Sequence, residues 1–238
     1  MDLELGGKTA IVTGGSRGIG KATAMELARE GVDLAICSRS ADALEETAAE
    51  VGQATGRRVV PISADVTDRA SVESMVERAA SELGRIDILV NNAAMPGGLV
   101  MGPLAEAQDE ELMADLNTKV LGYLRCARAA APHMQHNGWG RIVNIAGLAA
   151  RSGGTISGMR NAAVVHLTKT LSAELGPHRI TVNTIHPGAT RTERSGPAYQ
   201  EQAARRGVSV EEVERGVAEG IAIRRIVDAR EIAYLVAF

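Results

Sequence analysis

The sequence predicts an α/β protein with a doubly wound parallel sheet, formed as a single domain over residues 1–238. Short apolar runs alternate along the chain with longer segments of helical periodicity. The apolar runs are nearly unbroken, as is typical of strands that helices cover on both faces. With 238 residues, 45% of them hydrophobic, the chain is long enough for one substantial core, and no linker or internal repeat divides it.

The first half of the chain shows this alternation most clearly. Strands and helices are predicted in the order TAIVTG, GKATAMELAREG, VDLAICSR, SADALEETAAEVGQATG, RVVPISADV, SVESMVERAASELG and IDILVNNAA. Each apolar run is rich in Val, Ile or Leu, and each intervening segment has apolar residues at helical spacing. The order is therefore strand, helix, strand throughout this half, which requires parallel strands with helical crossovers.

The second half continues the pattern and then changes. A long helix is predicted over Glu106–His136, RIVNIAG is a strand, Asn161–Leu175 is a helix ended by Gly176 and Pro177, and ITVNTIHPG is a further strand. Residues 193–220 are rich in Gly, Ser, Pro and charge, with helical pieces such as SVEEVERGVAEG. This segment is predicted to be either a mobile insertion on the substrate side or a solvated surface segment.

Charge and hydropathy exclude several classes of protein. A formal net charge of -3 gives no electrostatic reason to expect nucleic acid binding. No stretch approaches the ~20 apolar residues of a membrane span, and MDLELGG lacks the layout of a signal peptide, so a cytoplasmic location is expected. The two cysteines, Cys37 and Cys126, are expected to be buried free thiols, and no cysteine or histidine spacing indicates a metal site.

The strongest functional signal is the segment TGGSRGIG, Thr13–Gly20, which follows the first strand and opens the first helix. Glycines at these positions allow a tight turn and a close approach of the backbone to a pyrophosphate. The free N–H groups and the dipole of the helix N-terminus favour the negative charge of that group. The segment therefore predicts a dinucleotide-binding site.

Six motifs in order make the chain resemble the short-chain dehydrogenases/reductases over nearly its whole length. They are TGGSRGIG, ADVTD (Ala64–Asp68), NNAA (Asn91–Ala94), DLNTK around Asn117, RIVNIAG (Arg141–Gly147) and HPGATRT (His186–Thr192). The resemblance implies a Rossmann fold, a nicotinamide cofactor and a small-molecule substrate. It also implies that the cofactor contacts Gly14, Ser16, Gly18, Ile19, Gly20, Asp65, Val66, Asn92, Ala93, Ala94, Pro187, Gly188, Thr190 and Thr192.

The tip of the second strand predicts which nicotinamide cofactor is preferred. A carboxylate there accepts hydrogen bonds from an unmodified ribose, whereas a guanidinium pairs with a 2′-phosphate. Here the strand ends in Ser38 and Arg39 with no acid, and Arg17 in the glycine-rich turn supplies a second cation. NADP(H) is therefore favoured over NAD(H), the alternative being that Arg39 is a solvated residue opening a helix.

The expected catalytic residues are where the chain departs from the family. The family joins an Asn, a Ser and a Tyr-x-x-x-Lys pair, in which the Lys lowers the pKa of the Tyr phenol. The three tyrosines of this chain are Tyr123, Tyr199 and Tyr234, and none has a Lys four residues later. Aligning the helix NAAVVHLTKTLSAEL puts Ser157 and Asn161 at the Tyr and Lys positions, or Ile156 and Arg160 after a one-residue slip.

The catalytic Ser is also missing. Ala146 and Gly147 stand at the matching positions, so only Asn117 keeps its residue type. The substitutes are suited to orienting a substrate, because a Ser hydroxyl is a poor acid and a guanidinium keeps its charge. Ser157 is a hydrogen-bond donor or a helix cap, Arg160 an anchor for an anionic substrate or developing negative charge, and Asn161 a ligand for the nicotinamide ribose or a residue of the helix start.

Three functions remain open on these residues. The first is a reductase or dehydrogenase with an altered proton path, acting on a small carbonyl, imine or alkene. The second is a catalytically silent nucleotide-binding scaffold or sensor, and the third a non-redox enzyme using the same pocket. His166 and His186 are expected to be structural. The small and apolar residues of Asp115–Met134 and Asn161–Leu175 predict a homodimer or homotetramer, with packing inside one subunit as the competing explanation.

Overall fold

The computed structural model describes residues 2–95, 108–151, 156 and 158–238. Six parallel strands form one sheet in the order β3-β2-β1-β4-β5-β6, and this confirms the predicted doubly wound Rossmann topology. The strands are β1 (Thr9–Thr13), β2 (Asp33–Ser38), β3 (Val59–Ser63), β4 (Ile88–Asn91), β5 (Gly140–Ile145) and β6 (Ile180–Ile185). Their carboxyl ends lie at one edge of the sheet, where ligands bind in such folds.

Helices cover both faces of this sheet. They are α1 (Gly18–Arg29), α2 (Ala41–Thr55), α3 (Arg69–Leu83), α4 (Asp109–Leu116), α5 (Gly122–Asn137), α6 (Gly158–Leu175), α7 (Ser195–Arg206), α8 (Val210–Glu219) and α9 (Ala229–Ala237). Strand β1 shows how the chain supplies both cores: Ile11 packs with residues of α3 and α5, while Ala10 and Val12 pack with residues of α1 and α2. The side chains of a strand alternate between faces, so an unbroken apolar run serves two cores.

The predicted long helix over Glu106–His136 is present in the part of the chain that the structure describes. It begins at Asp109 as α4, passes through a π-helical turn at Asn117–Leu121 and ends at Asn137 as α5. Glu106 lies outside the described residues. Single π-turns inside α-helices often occur at functional sites, and this one contains Asn117.

The segment 193–220 contains two helices, α7 and α8. Helix α8 begins with a capping box in which the Ser209 hydroxyl accepts from the Glu212 amide and the Glu212 carboxylate accepts from the Ser209 amide. Next to these helices, β7 (Thr190–Arg191) and β8 (Val227–Asp228) form a two-stranded parallel sheet. The helical pieces predicted in this segment are therefore present.

Two further features bear on the sequence predictions. Cys37 and Cys126 are free and buried, as expected, and burial raises the pKa of the Cys37 thiol to about 12. No helix within the described ranges is long and apolar enough to cross a membrane. Within the same ranges, no group of three or more His, Cys, Asp or Glu residues is placed to hold a metal ion.

Candidate cofactor and active site

The turn between β1 and α1 depends on glycine for two separate reasons. Gly14 and Gly18 have φ angles of +66° and +56°, a backbone region that side chains disfavour. A Cβ at Gly20 would lie 2.1 Å from the Gly14 carbonyl oxygen, so α1 can approach the turn only without a side chain there. The glycines thereby place no side chain of their own over the backbone at the N-terminus of α1, as the close approach of a phosphate requires.

Asn92 joins the end of β4 to this turn. Its side-chain amide donates to the carbonyl oxygens of Thr13 and Gly14, at 3.0 and 3.2 Å. Its backbone amide donates to the Thr13 hydroxyl at 2.9 Å, and the Ala93 amide donates to the same hydroxyl at 3.1 Å. The NNAA motif thus fixes the position of the glycine-rich turn relative to β4.

A cleft of about 370 Å³ opens along the carboxyl ends of β1, β2 and β4, and we call it the nucleotide cleft. The predicted residues that line it are Gly14, Ser16, Arg17, Gly18, Ile19, Ser38, Arg39, Asp65, Val66, Asn92, Ala93, Ala94 and Thr192. Lining residues that the sequence did not assign to the cofactor are Cys37, Ser40, Ala64, Thr67, Met95, Thr118 and Arg194. The structure therefore brings together residues from motifs as far apart as Gly14 and Thr192.

Positive charge is available at the β2 end of the nucleotide cleft. Arg17 and Arg39 are both exposed, and among the described residues neither has a carboxylate within ion-pair distance. Asp65 lies on the same wall, where it accepts hydrogen bonds at 2.8 Å from the amide and the hydroxyl of Thr67. The Thr67 amide, and to a smaller extent the Arg39 charge, hold the pKa of the Asp65 carboxyl below its usual value.

Four predicted cofactor residues are not among those lining the nucleotide cleft. Gly20 is buried and packs against the turn. Gly188 and Thr190 belong with Pro187 to the segment after β6, where the Pro187 carbonyl oxygen accepts from the Leu148 amide at 3.2 Å. His186 also contacts the chain after β5, with Nδ1 3.0 Å from the Gly147 carbonyl oxygen.

Arg160 is placed differently from its sequence expectation. It is 4% exposed, and its guanidinium forms an ion pair with Asp115, which is 2% exposed. Burial raises the pKa of Asp115, and the charge of Arg160 opposes that rise. The guanidinium expected to anchor a substrate is therefore already bonded to a carboxylate of α4, 45 residues earlier in the chain.

Lys119 lies beside this ion pair and was not singled out from the sequence. It belongs to the π-turn, is 4% exposed, and donates from Nζ to the Ala146 carbonyl oxygen at 2.8 Å. Burial and the charge of Arg160 lower the pKa of Lys119 to about 7, while Asp115 acts in the opposite direction. A buried Lys thus holds the backbone at Ala146, in the segment Ala146–Gly147 that the resemblance aligns with the family's Ser.

Asn161 completes what we call the buried polar cluster, made of Asp115, Lys119, Gly147, Arg160 and Asn161. Asn161 is 2% exposed, and a Cβ built on Gly147 would lie 3.0 Å from its Nδ2. Asn161 Oδ1 is buried and has no hydrogen-bond partner within the described part of the chain. A buried hydrogen-bond acceptor is thus left available at Asn161.

Asn117 and Tyr123 both have their side chains held by hydrogen bonds. Ser157 lies outside the described residues. The Asn117 side-chain oxygen accepts from Arg125 Nη2 at 2.9 Å, which orients its amide group. Tyr123 does not supply a free phenol, since its hydroxyl donates to the Ile145 carbonyl oxygen at 2.9 Å and burial raises its pKa.

Comparisons with known proteins show which family the chain is similar to over most of its length. The family model described as short chain dehydrogenase matches residues 8–203. The NADPH-dependent reductase BacG of Bacillus subtilis (strain 168) is 32% identical, over 97% of this chain and 90% of BacG, and the short-chain reductase protein NovJ of Streptomyces niveus is 38% identical, over 96% and 85%. The crystal structure of L-sorbose reductase from Gluconobacter frateurii, complexed with NADPH and L-sorbose, superimposes with a TM-score of 0.94 at 31% identity, covering 100% of this chain and 91% of that one.

Proposed function

Because the chain belongs to the short-chain dehydrogenase family, we propose that it is an NADP(H)-dependent oxidoreductase of a small carbonyl, imine or alkene, working without a Tyr-x-x-x-Lys pair. The observation that supports this most directly is the nucleotide cleft, with Arg17 and Arg39 on its wall and no carboxylate paired to either among the described residues. Two unpaired guanidinium groups suit a 2′-phosphate.

The residues of the cleft fit this cofactor. The glycines of the turn put no side chain between its backbone and a pyrophosphate, and a Cβ at Gly20 would force α1 away from the turn. Asp65, whose carboxyl pKa the Thr67 amide holds below its usual value, is assigned to the adenine end of the cofactor. The predicted preference for NADP(H) over NAD(H) is confirmed by the NADPH-dependent relatives.

When bound, NADPH supplies a hydride, and the protein must orient the acceptor and provide a route for any proton. We assign orientation to Asn117 and to Ser157, which are neutral and can donate hydrogen bonds. The Arg160 guanidinium is ion-paired with Asp115 and is not free to bind the substrate. We therefore assign Arg160 the role of a positioning residue. Asn161, with its free Oδ1, is assigned to the nicotinamide ribose hydroxyls. Water supplies the proton, because none of these side chains is a tuned acid.

The test of this function is a substrate panel supplied with NADPH. Purified protein is mixed with ketones, cyclic imines and activated alkenes, and the absorbance of the reduced nicotinamide is followed. We expect turnover with at least one class, a lower kcat in Ser157→Ala and Asn117→Ala, and a pH profile without the break of a phenol. Turnover of simple ketones with a sharp pH break that both substitutions leave unchanged would reject the assignment.

The second candidate function is a catalytically silent nucleotide-binding scaffold or sensor. It is favoured by the absence of the Tyr, the Lys and the Ser from their family positions. The same panel separates it from the first: tight NADPH binding without turnover of any substrate, together with a specific partner recovered in pull-downs, supports this candidate.

We also propose that the protein is a homodimer or homotetramer. Residues of α5 and α6 such as Cys126, Met134 and Leu171 are used in the subunit's own core, while Leu121 and Met159 are exposed by 43% and 56%. Leu121, at the end of the π-turn before α5, and Met159 on α6 are thus available for contacts between subunits. Light scattering at micromolar concentration should give at least the dimer mass, and a monomer would refute the interface.

A further inference from the structure

The first turn of α1 contacts a carboxylate from a distant part of the chain. The backbone amide of Gly18 donates to Glu193 Oε2 at 2.9 Å, although the two residues are 175 positions apart. The residue preceding the helix, Arg17, forms no side-chain capping bond, and the first turn of α1 contains no acidic residue. Glu193 is therefore the acid that serves this helix N-terminus within the described part of the chain.

Hydrogen bonds within the segment around Glu193 fix its conformation, and Thr192 packs against the start of α1. The Thr192 amide donates to the Ser195 hydroxyl at 3.0 Å, and that hydroxyl donates to the Thr190 carbonyl oxygen at 3.2 Å. Thr192 Cγ2 lies 3.5 Å from the position of a Cβ on Gly18. Thr192 also lines the nucleotide cleft together with Gly18. Glu193 itself lines an adjoining cleft that also contains Gly18 and Thr192, so its carboxylate reaches the phosphate-binding turn from beside the nucleotide cleft.

A carboxylate and a pyrophosphate have the same reason to bind at this point. Both are anions, and both accept hydrogen bonds from free backbone N–H groups at the positive end of the helix dipole. One N–H group cannot fully satisfy both, and two negative groups within a few ångströms of each other repel. Occupation of this turn by Glu193 and by a dinucleotide pyrophosphate is therefore competitive.

We propose that Glu193 is an internal competitor for the pyrophosphate subsite. The side chain binds the Gly18 amide while the subsite is free and is displaced when the dinucleotide binds, so cofactor occupancy is coupled to release of the segment Thr190–Ser195 from α1. The proposal rests on the dinucleotide site of the proposed function and adds a residue that lowers cofactor affinity.

The competition predicts a difference between two kinds of ligand. A ligand with a pyrophosphate must displace Glu193, whereas adenosine 2′-monophosphate, which has only the phosphate directed to Arg17 and Arg39, need not. Replacing the Glu193 carboxylate with an uncharged group should lower the dissociation constant of the pyrophosphate-containing ligand about fivefold, which is the size of a charge effect at a helix end. The dissociation constant of adenosine 2′-monophosphate should not change.

The experiment measures dissociation constants by calorimetry for NADPH, adenosine 2′-monophosphate and inorganic pyrophosphate. The variants are Glu193→Gln, which keeps the shape and removes the charge, and Glu193→Ala, which removes the contact. Glu201→Gln is the matched control, because Glu201 is an exposed carboxylate on α7 whose loss changes the net charge equally. We expect NADPH and pyrophosphate to bind about fivefold more tightly to both Glu193 variants and equally to Glu201→Gln and wild type.

Several results would overturn the proposal. Unchanged or weaker NADPH binding in both Glu193 variants contradicts competition, and so does an equal gain in Glu201→Gln or for adenosine 2′-monophosphate, which would indicate a long-range charge effect. Failure of the proposed function is distinguishable: if wild-type protein binds no NADPH, inorganic pyrophosphate still decides, since tighter binding to Glu193→Gln supports the competition and equal binding rejects it.

Discussion

The nucleotide cleft and the buried polar cluster lie at the same edge of the sheet but are built in different ways. In the cleft, ligand-binding groups are backbone N–H groups uncovered by glycine and positioned by Asn92. In the cluster, side chains from α4, the π-turn and α6 are enclosed together. Six buried side-chain polar atoms of the described residues lack a partner, and three belong to Asp115, Arg160 and Asn161.

The difference teaches which part of such a site can change without loss of the fold. The turn at Gly14–Gly20 is fixed by backbone geometry, and Gly14, Gly18 and Gly20 cannot be exchanged without moving or straining it. The cluster depends on side chains that compensate one another: Gly147 leaves space beside Asn161, and Asp115 balances Arg160. Substitutions in the two regions should therefore fail in different ways.

The largest expected effect is loss of the charge balance in the cluster. Asp115→Ala leaves Arg160 and Lys119 buried without a counterion, and breaking a buried ion pair in this way costs about 3–5 kcal/mol of stability. Denaturant unfolding of Asp115→Ala and wild type measures this loss of stability. The double variant Asp115→Leu with Arg160→Met should recover much of the loss, because no charge of the pair is then left unpaired. Equal destabilisation by single and double variants would contradict the coupling.

The next effect belongs to the cleft. Gly20→Ala places a Cβ 2.1 Å from the Gly14 carbonyl oxygen, so the turn must shift and NADPH affinity should fall about 100-fold or more. Gly216→Ala is the control, because a Cβ there meets nothing within 4 Å and alanine favours a helix. Fluorescence titration gives the NADPH dissociation constant of each variant. Unchanged NADPH binding by Gly20→Ala would show that the close packing of α1 on the turn is not required for cofactor binding.

A smaller effect is expected at the cleft wall. Arg39→Ala should weaken NADPH binding about tenfold, the value of one charge-assisted hydrogen bond, and leave NADH binding unchanged. Titration of both reduced cofactors tests this, with Arg69→Ala as the control because Arg69 is an exposed cation paired with Glu73 on α3. A parallel loss for NADH would show that Arg39 does not recognise the 2′-phosphate.

The smallest effect concerns the pH dependence of stability. The pKa of Lys119 is about 7 in the folded protein and about 10.5 in the unfolded chain, so between these values the unfolded chain binds one more proton. Stability therefore rises with pH through this window and is lowest at and below pH 7 for this group. Between about pH 7 and pH 8, wild type should gain about 1 kcal/mol relative to Lys119→Met.

The measurement for this last prediction is denaturant unfolding of both proteins across the pH range. Cys37 and Cys126 also have raised pKa values, but they are present in both proteins and cancel in the difference. A constant difference between wild type and Lys119→Met would show that Lys119 keeps its ordinary pKa in the fold.

The positions of most elements followed from local patterns in the sequence. Apolar runs gave the six strands because parallel strands covered on both faces need no polar residues, and helix periodicity gave the crossovers. Thirteen predicted cofactor residues line the nucleotide cleft because glycine conformations and strand ends are local properties. The predicted elements differ from the structure at their boundaries, such as the start of α6 at Gly158 where Asn161 was expected, and the sheet of β7 and β8 and the helix α9 were not predicted.

The contacts among the candidate catalytic residues could not be predicted without the tertiary structure. The motif DLNTK contains Asp115 and Lys119 four residues apart, which places them on one helical face, but nothing in the sequence showed that α6 would bring Arg160 against them. Likewise, no local pattern links Glu193 to Gly18. The sequence by itself determined the fold and the phosphate-binding turn, because both depend on neighbouring residues. Only the packing of helices distant in the chain decided which charges are buried and paired, because burial and pairing depend on which side chains meet.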